Sequence, residues 1–137
     1  MSSEAKASSQ IRQAVTPYIC VKDSSAAIEF YKEAFGAVEL TRIPMPDGRI
    51  GHAEIKIGDA TIMIADEYPE IQFLSPESLG GSPVMIHVYV DDVDALASQA
   101  VAAGAKLARP VADQSYGDRN CKIVDPFGHG WLFATAK

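Results

Sequence analysis

The chain has 137 residues, 47% hydrophobic and 22% charged, which are the proportions of a globular protein with one buried core. Its formal net charge of -6 comes without any run of Lys and Arg, which argues against a nucleic-acid partner, because binding a phosphate backbone relies on clustered cations. No apolar stretch reaches the roughly 20 residues that span a bilayer, and Met1 to Ala14 is too polar for a signal peptide, so a cytoplasmic protein with no membrane partner is expected.

Residues 1–14 lack periodicity and read as a flexible tail. Val15 to Val21 is β-branched and aromatic and reads as a strand, with Pro17 marking its start as an edge. Asp23 or Ser24 caps a helix with Ala27, Phe30, Tyr31 and Ala34 at helical spacing and Phe35 beside them, and Gly36 ends it. Strands follow at Val38 to Ile43, Ile50 to Ile57 and Ala60 to Ala65, separated by the turns Pro46-Asp47-Gly48 and Gly58-Asp59.

Residues 66–83 change character, with Pro69, Pro76, Pro83, Gly80 and Gly81 breaking any pattern. Such a segment is either a linker or a lid, and the linker is the favoured reading. The first plan then repeats. Val84 to Val90 reads as a strand, Asp91 or Asp92 as a cap, and Val93, Leu96, Ala97, Ala100 and Val101 as an apolar helix stripe ended by Gly104. Strands are expected around Lys106 to Ala108, at Asn120 to Val124, and from Trp131 to Thr135 after the turn Asp125-Pro126-Phe127-Gly128. Asp23 and Asp92 lie 69 positions apart and Gly36 and Gly104 lie 68 apart. That near-constant offset marks an internal duplication. Two units that each carry a helix on one face of a small sheet should pack together with their curved sheets enclosing a cavity.

Several polar residues stand out. His52, Glu54 and Lys56 alternate with Ala53, Ile55 and Ile57, so the apolar set should face the helix and the polar set either solvent or the concave side. His87 sits between apolar strand residues, as a hydrogen-bonded core histidine or a ligand contact. His129 lies in the last turn, where an exposed structural role is expected. Cys20 and Cys121 lack metal or redox spacing and read as buried thiols. Arg119 is expected to pair with Asp118 or another neighbouring acid.

The segments ICVKDSSAAIEFYKEAFGA, HVYVDDVDALASQAVAAGA and YGDRN with DPFGHGW resemble the vicinal oxygen chelate superfamily of glyoxalase I, extradiol dioxygenases and bleomycin resistance proteins. HAEIKIGD, YGDR and DPFGHGW together look like its PhnB-type branch. The resemblance implies an α+β fold of two tandem βαβββ units, here residues 15–65 and 84–136 within one domain at 15–137, and a homodimer. Carried over by spacing, the superfamily's metal-ligand positions fall on Thr16, Met63, Met85 and Leu132, none of which is a His, Glu or Gln, so the usual metal site is expected to be missing. On that alignment Trp131 and Phe133 face the helix as core, and the cavity face carries Tyr18, Met63, Met85, His87, Tyr89 and Leu132. His52 and Glu54 join them as ligand-orienting groups.

Two functions follow from this reading. In the first, the protein binds a small, partly aromatic molecule in the cavity without metal or cofactor, and sequesters or carries it. The alternative is a lyase, isomerase or dioxygenase of the same superfamily, with His52, Glu54 and His87 as general acid and base or as ligands of a displaced divalent metal.

Overall fold

The computed structural model describes residues 12–137. Most of the expected tail, residues 1–11, lies outside the described residues. The elements are β1 (Tyr18–Val21), α1 (Ser24–Phe35), β2 (Val38–Pro44), β3 (Ile50–Ile57) and β4 (Ala60–Asp66), then β5 (Met85–Tyr89), α3 (Val93–Ala102), β6 (Lys106–Asp113), β7 (Asp118–Val124) and β8 (Gly130–Ala136). The intervening segment holds a 3-10 turn at Pro69–Ile71 and a single helical turn, α2 (Pro76–Leu79).

Two four-stranded sheets form, in the orders β1-β4-β3-β2 and β5-β8-β7-β6. In each, the first and last strands pair in parallel, Tyr18 with Met63 in one and Met85 with Gly130 in the other. The identical order makes the duplication visible: the fold is α+β, two tandem βαβββ units. Asp23 and Asp92 are the caps, each carboxylate accepting from the amide three residues on, Ala26 and Ala95, at 3.0 Å. The two helices end differently. Gly36 adopts φ 68°, which only glycine takes without strain, whereas Ala103 stays right-handed and Gly104 follows it at φ 115°.

The two units share one core, built on α1. Phe35 packs on Trp131 and Phe133 of β8 with ring centroids 4.8 and 4.7 Å away, and Tyr31 stacks behind it. Tyr31, Trp131 and Phe133 are fully buried, as expected for Trp131 and Phe133. Gln99 of α3 donates to the carbonyls of Glu33 and Ala34 at 2.9 and 3.2 Å, giving the C-terminal end of α1 the partners it would otherwise lack.

At the centre lies the buried carboxylate of Asp125, which accepts from Tyr31 Oη at 2.6 Å and from Trp131 Nε1 at 2.9 Å. Its other oxygen accepts from the amides of Phe127 and His129 at 2.9 and 3.0 Å, shaping the β7–β8 turn. Burial, and then Asp125 itself, push the Tyr31 phenol well above its ordinary pKa, so it stays a donor. This geometry corrects the reading of His129. Its side chain is buried rather than exposed, because the turn folds back over β1 and Nε2 donates to the carbonyl of Cys20 at 2.7 Å. Arg119 pairs with Asp94 and Asp113 at 2.8 and 3.1 Å, while Asp118 accepts from Tyr89.

Both cysteines are buried and free. No helix among the described residues is long and apolar enough to cross a membrane. Replacing Asp125 by Ala strands two buried donors and two turn amides, and should lower unfolding free energy by about 3 kcal/mol, against about 1 kcal/mol for Tyr31→Phe. Urea denaturation followed by Trp131 fluorescence measures both.

Candidate functional site

The pleat of β3 sets the first face of interest. Ala53, Ile55 and Ile57 are buried under α1, which turns His52 and Glu54 to the opposite face of the first sheet. Strand register then lines up Tyr18, Met63, Glu54 and Thr41 in one cross-strand row, with His52 beside Ile43 one row on. The tyrosine ring reaches diagonally across, so that Tyr18 Oη lies 2.9 Å from His52 Nδ1 and His52 Nε2 lies 2.8 Å from Glu54 Oε2.

This is a three-member hydrogen-bonded chain. A carboxylate can only accept, so the neutral His52 ring carries its proton on Nε2 and accepts from the phenol at Nδ1. Desolvation raises the Tyr18 pKa, with Tyr68 and Glu54 adding to it, so the phenol is the donor. Cys20, one turn of the pleat further along β1, is different. Its thiol is pushed up to about 12 by burial and by the nearby acids Glu67 and Asp66, which leaves too little thiolate for a nucleophile.

Two hollows adjoin the ends of this chain, one at Glu54 and one at Tyr18. One, of about 480 Å³, is lined by Thr16, Leu40, Glu54, Thr61 and Met63 among others. The other, of about 330 Å³, is lined by Tyr18, Gly51, Ala65, Tyr68, Ile71 and Phe73. Phe73 meets the Tyr18 ring edge-on at 5.6 Å. Both Tyr18 and Phe73 also line a 260 Å³ cavity between the two units, whose far wall includes Ile86 and His129.

Tyr68, Ile71 and Phe73 come from the segment expected to be a linker. That segment joins the two units, and its first part is folded over the first sheet. Tyr68 and Phe73 exchange backbone hydrogen bonds at 2.8 and 3.0 Å, and the Arg49 guanidinium sits 4.1 Å over the Tyr68 ring while pairing with Asp47 and Glu70. Glu67 secures the far end by accepting from the Ser75 amide, the Ser75 hydroxyl and the Ser78 hydroxyl. Tyr68, Ile71 and Phe73, large apolar side chains within the Pro-rich stretch, were the one sequence signal for this.

The remaining expected site residues fall elsewhere. His87 is exposed rather than in the core, because the parallel register with β8 sets it opposite Leu132, on the face turned away from the buried Trp131 and Phe133, 4.7 Å from the Tyr89 ring. His87 and Tyr89 line a separate 480 Å³ cavity that reaches Thr61 of the first unit. Met85 and Leu132 border none of these four cavities, and Met85 is 45% exposed. The displaced metal site of His52, Glu54 and His87 is therefore not assembled: His52 and Glu54 engage each other on one sheet and His87 belongs to the other. Among the described residues no group of three or more His, Cys, Asp and Glu could hold a metal ion. The superfamily positions, a hydroxyl, two thioethers and an alkane at Thr16, Met63, Met85 and Leu132, do not fit a divalent metal either.

A sequence profile of the Glyoxalase/Bleomycin resistance protein/Dioxygenase superfamily matches residues 10–133. The chain belongs to that superfamily. It is 44% identical over 124 residues to an uncharacterized protein of Mycobacterium bovis, covering 88% of this chain and 82% of the relative. Among solved structures it resembles TioX from Micromonospora sp. ML1, with a TM-score of 0.72 and 25% identity over 91% of this chain and 97% of the other. A PhnB protein from Bacillus cereus shares the fold, with a TM-score of 0.68 and 16% identity over 90% of this chain and 100% of that one.

Two measurements check the site's wiring. Nitrogen NMR of His52 should find the neutral ring with its proton on Nε2, and Glu54→Leu should return it to a mixture of tautomers. Glu67 has a folded pKa lowered to about 2 from 4.5, chiefly by the Ser75 and Ser78 hydroxyls. A depressed carboxylate stabilises above its unfolded pKa and loses that contribution as pH falls through the folded one. The loop should therefore loosen between about pH 4.5 and 2, seen as rising amide exchange at Ser75 that Glu67→Gln shows already at neutral pH.

Proposed function

We propose that this protein binds a small, partly aromatic and uncharged molecule on the concave face of its first sheet, and sequesters or carries it. The observation that carries this reading is the Tyr18 side chain, which lines an aromatic hollow and has its hydroxyl directed by His52 and Glu54. Tyr18, Tyr68 and Phe73 offer ring edges and faces to a planar ligand, and Ile71 adds apolar contact. One oriented hydroxyl provides the polar contact that selects a pose. A charged ligand is disfavoured by the same surroundings, because the guanidinium over Tyr68 is already paired with two acids.

The 260 Å³ space between the units shares Tyr18 and Phe73 with this hollow, which supports a ligand larger than one ring. Exposed Val38, Leu40, Met85 and Tyr89 support a homodimer in which a second copy covers these side chains. Light scattering should then give twice the mass of the chain.

A thermal-shift panel of neutral aromatic compounds tests the binding itself. At least one should raise the melting temperature, and Phe73→Ala should weaken it by about tenfold, or ~1.4 kcal/mol. Affinity unchanged in Phe73→Ala and lost instead in Met85→Ala would move the site to the second sheet and contradict this reading.

A further inference from the structure

We infer that the edge of β4 at Thr61 is a binding site for a small neutral molecule carrying a primary carboxamide or a lactam, and that residues 12–16 plug it by placing the Gln13 carboxamide there. The site is separate from the hollow at Tyr18, and its test does not depend on the binding reading above.

Strand pairing leaves this edge of β4 open. Gly58 and Asp59 join Ile57 to Ala60 in a two-residue hairpin, so Ile57 and Ala60 bond across it while the next pair, Lys56 and Thr61, does not. Thr61 therefore turns its N–H and C=O away from β3, towards the β1 side. The second unit shows what such an edge meets when the sheet continues. There Gly130, 69 positions after Thr61, lies opposite Met85, the first residue of β5. The same offset carries Met85 back to Thr16, but β1 starts only at Tyr18, and Pro17 before it has no N–H to pair. No strand residue of β1 stands opposite Thr61.

A side chain takes that role. Gln13 Oε1 accepts from the Thr61 amide at 3.0 Å, and Gln13 Nε2 donates to the carbonyls of Thr61 and Val15 at 2.8 and 3.1 Å. One planar group thus presents an acceptor and a donor along a single edge, which a ketone, an ether or a carboxylate cannot do. A primary carboxamide can, and so can a lactam, whose ring holds N–H and C=O on the same side. The hold is a detachable one, because Arg12, Ala14 and Val15 are exposed around the half-buried Gln13. Gln13 and Thr61 also border two hollows of about 480 Å³ each, one reaching Leu40 and Met63 and the other Ile86 and Tyr89. A ligand in the place of Gln13 has room on both sides. The tethered carboxamide acts as a competitor at a fixed local concentration, and an external amide must displace it.

δ-Valerolactam is the probe, with its N-methyl derivative, which lacks the N–H, as the control; neither has an aromatic ring. Titrations are followed at the Thr61 amide by nitrogen–proton NMR, and thermal melting by Trp131 fluorescence verifies that each variant is folded. The lactam should shift the Thr61 signal in Gln13→Ala with an affinity at least about tenfold above wild type, the factor for a plug that is open in about a tenth of molecules or fewer. Gln13→Glu still accepts from the Thr61 amide but cannot donate to its carbonyl, so its affinity should fall between the two. The N-methyl lactam should leave Thr61 unmoved in all three proteins. An unshifted Thr61 in Gln13→Ala, equal lactam affinity in wild type and Gln13→Ala, or equal binding of the N-methyl lactam would each overturn the inference and leave Gln13 as a permanent cap of the sheet edge.

Discussion

The structure depends on one buried carboxylate. Asp125 ties α1 of the first unit to β8 of the second through Tyr31 and Trp131, and with its other oxygen it folds the turn that sends His129 back to β1. An acid taken out of water is costly unless its lone pairs are filled, and here four donors fill them. Without it the two halves of the duplicated chain would meet through apolar rings, which hold surfaces together without fixing their angle, and through the bonds of Gln99 to the end of α1. Directional hydrogen bonds at the junction set where β1 lies relative to the second sheet, and β1 carries Tyr18.

From that junction the site follows by strand geometry. Parallel pairing of β1 with β4, and antiparallel pairing of β4 with β3, puts Tyr18 and Glu54 in one row and leaves His52 a diagonal away. The loop that closes the hollow is held by separate devices: Arg49 between two acids and an aromatic face, and Glu67 under two serines. These contacts explain why a Pro- and Gly-rich segment with only short helical turns can still offer a defined wall of Tyr68, Ile71 and Phe73. Membership of the superfamily accounts for the frame, while the donor set at its usual metal positions turns attention to groups of this chain's own.

Much of the fold was legible because its signals are local. Asp23 and Asp92 announce helix starts through a bond three residues long, and alternation along β3 and β8 sends Ile55, Trp131 and Phe133 to the core whatever the rest of the chain does. The misreadings are long-range. His129 meets a carbonyl 109 positions earlier, and nothing near it in sequence could say so. Strand β6 runs to Asp113 rather than stopping near Ala108, since register shifts around Arg109 hide its pattern. For the site, His52 and Glu54 were readable as a polar pair from spacing alone, but the direction of Tyr18 and the return of Phe73 over the sheet are tertiary facts. His87 fitted the same sequence criteria as His52 and was parted from it by the division into two sheets.

The central claim is that ligand meets the first sheet at Tyr18. Intermolecular NOE measurements on the protein with a neutral aromatic compound selected by thermal shift test this most directly. The account predicts contacts from the ligand's aromatic protons to the Phe73 and Tyr18 rings and to the Ile71 methyls. Contacts confined to Met85, His87 and Leu132 on the second sheet would contradict it.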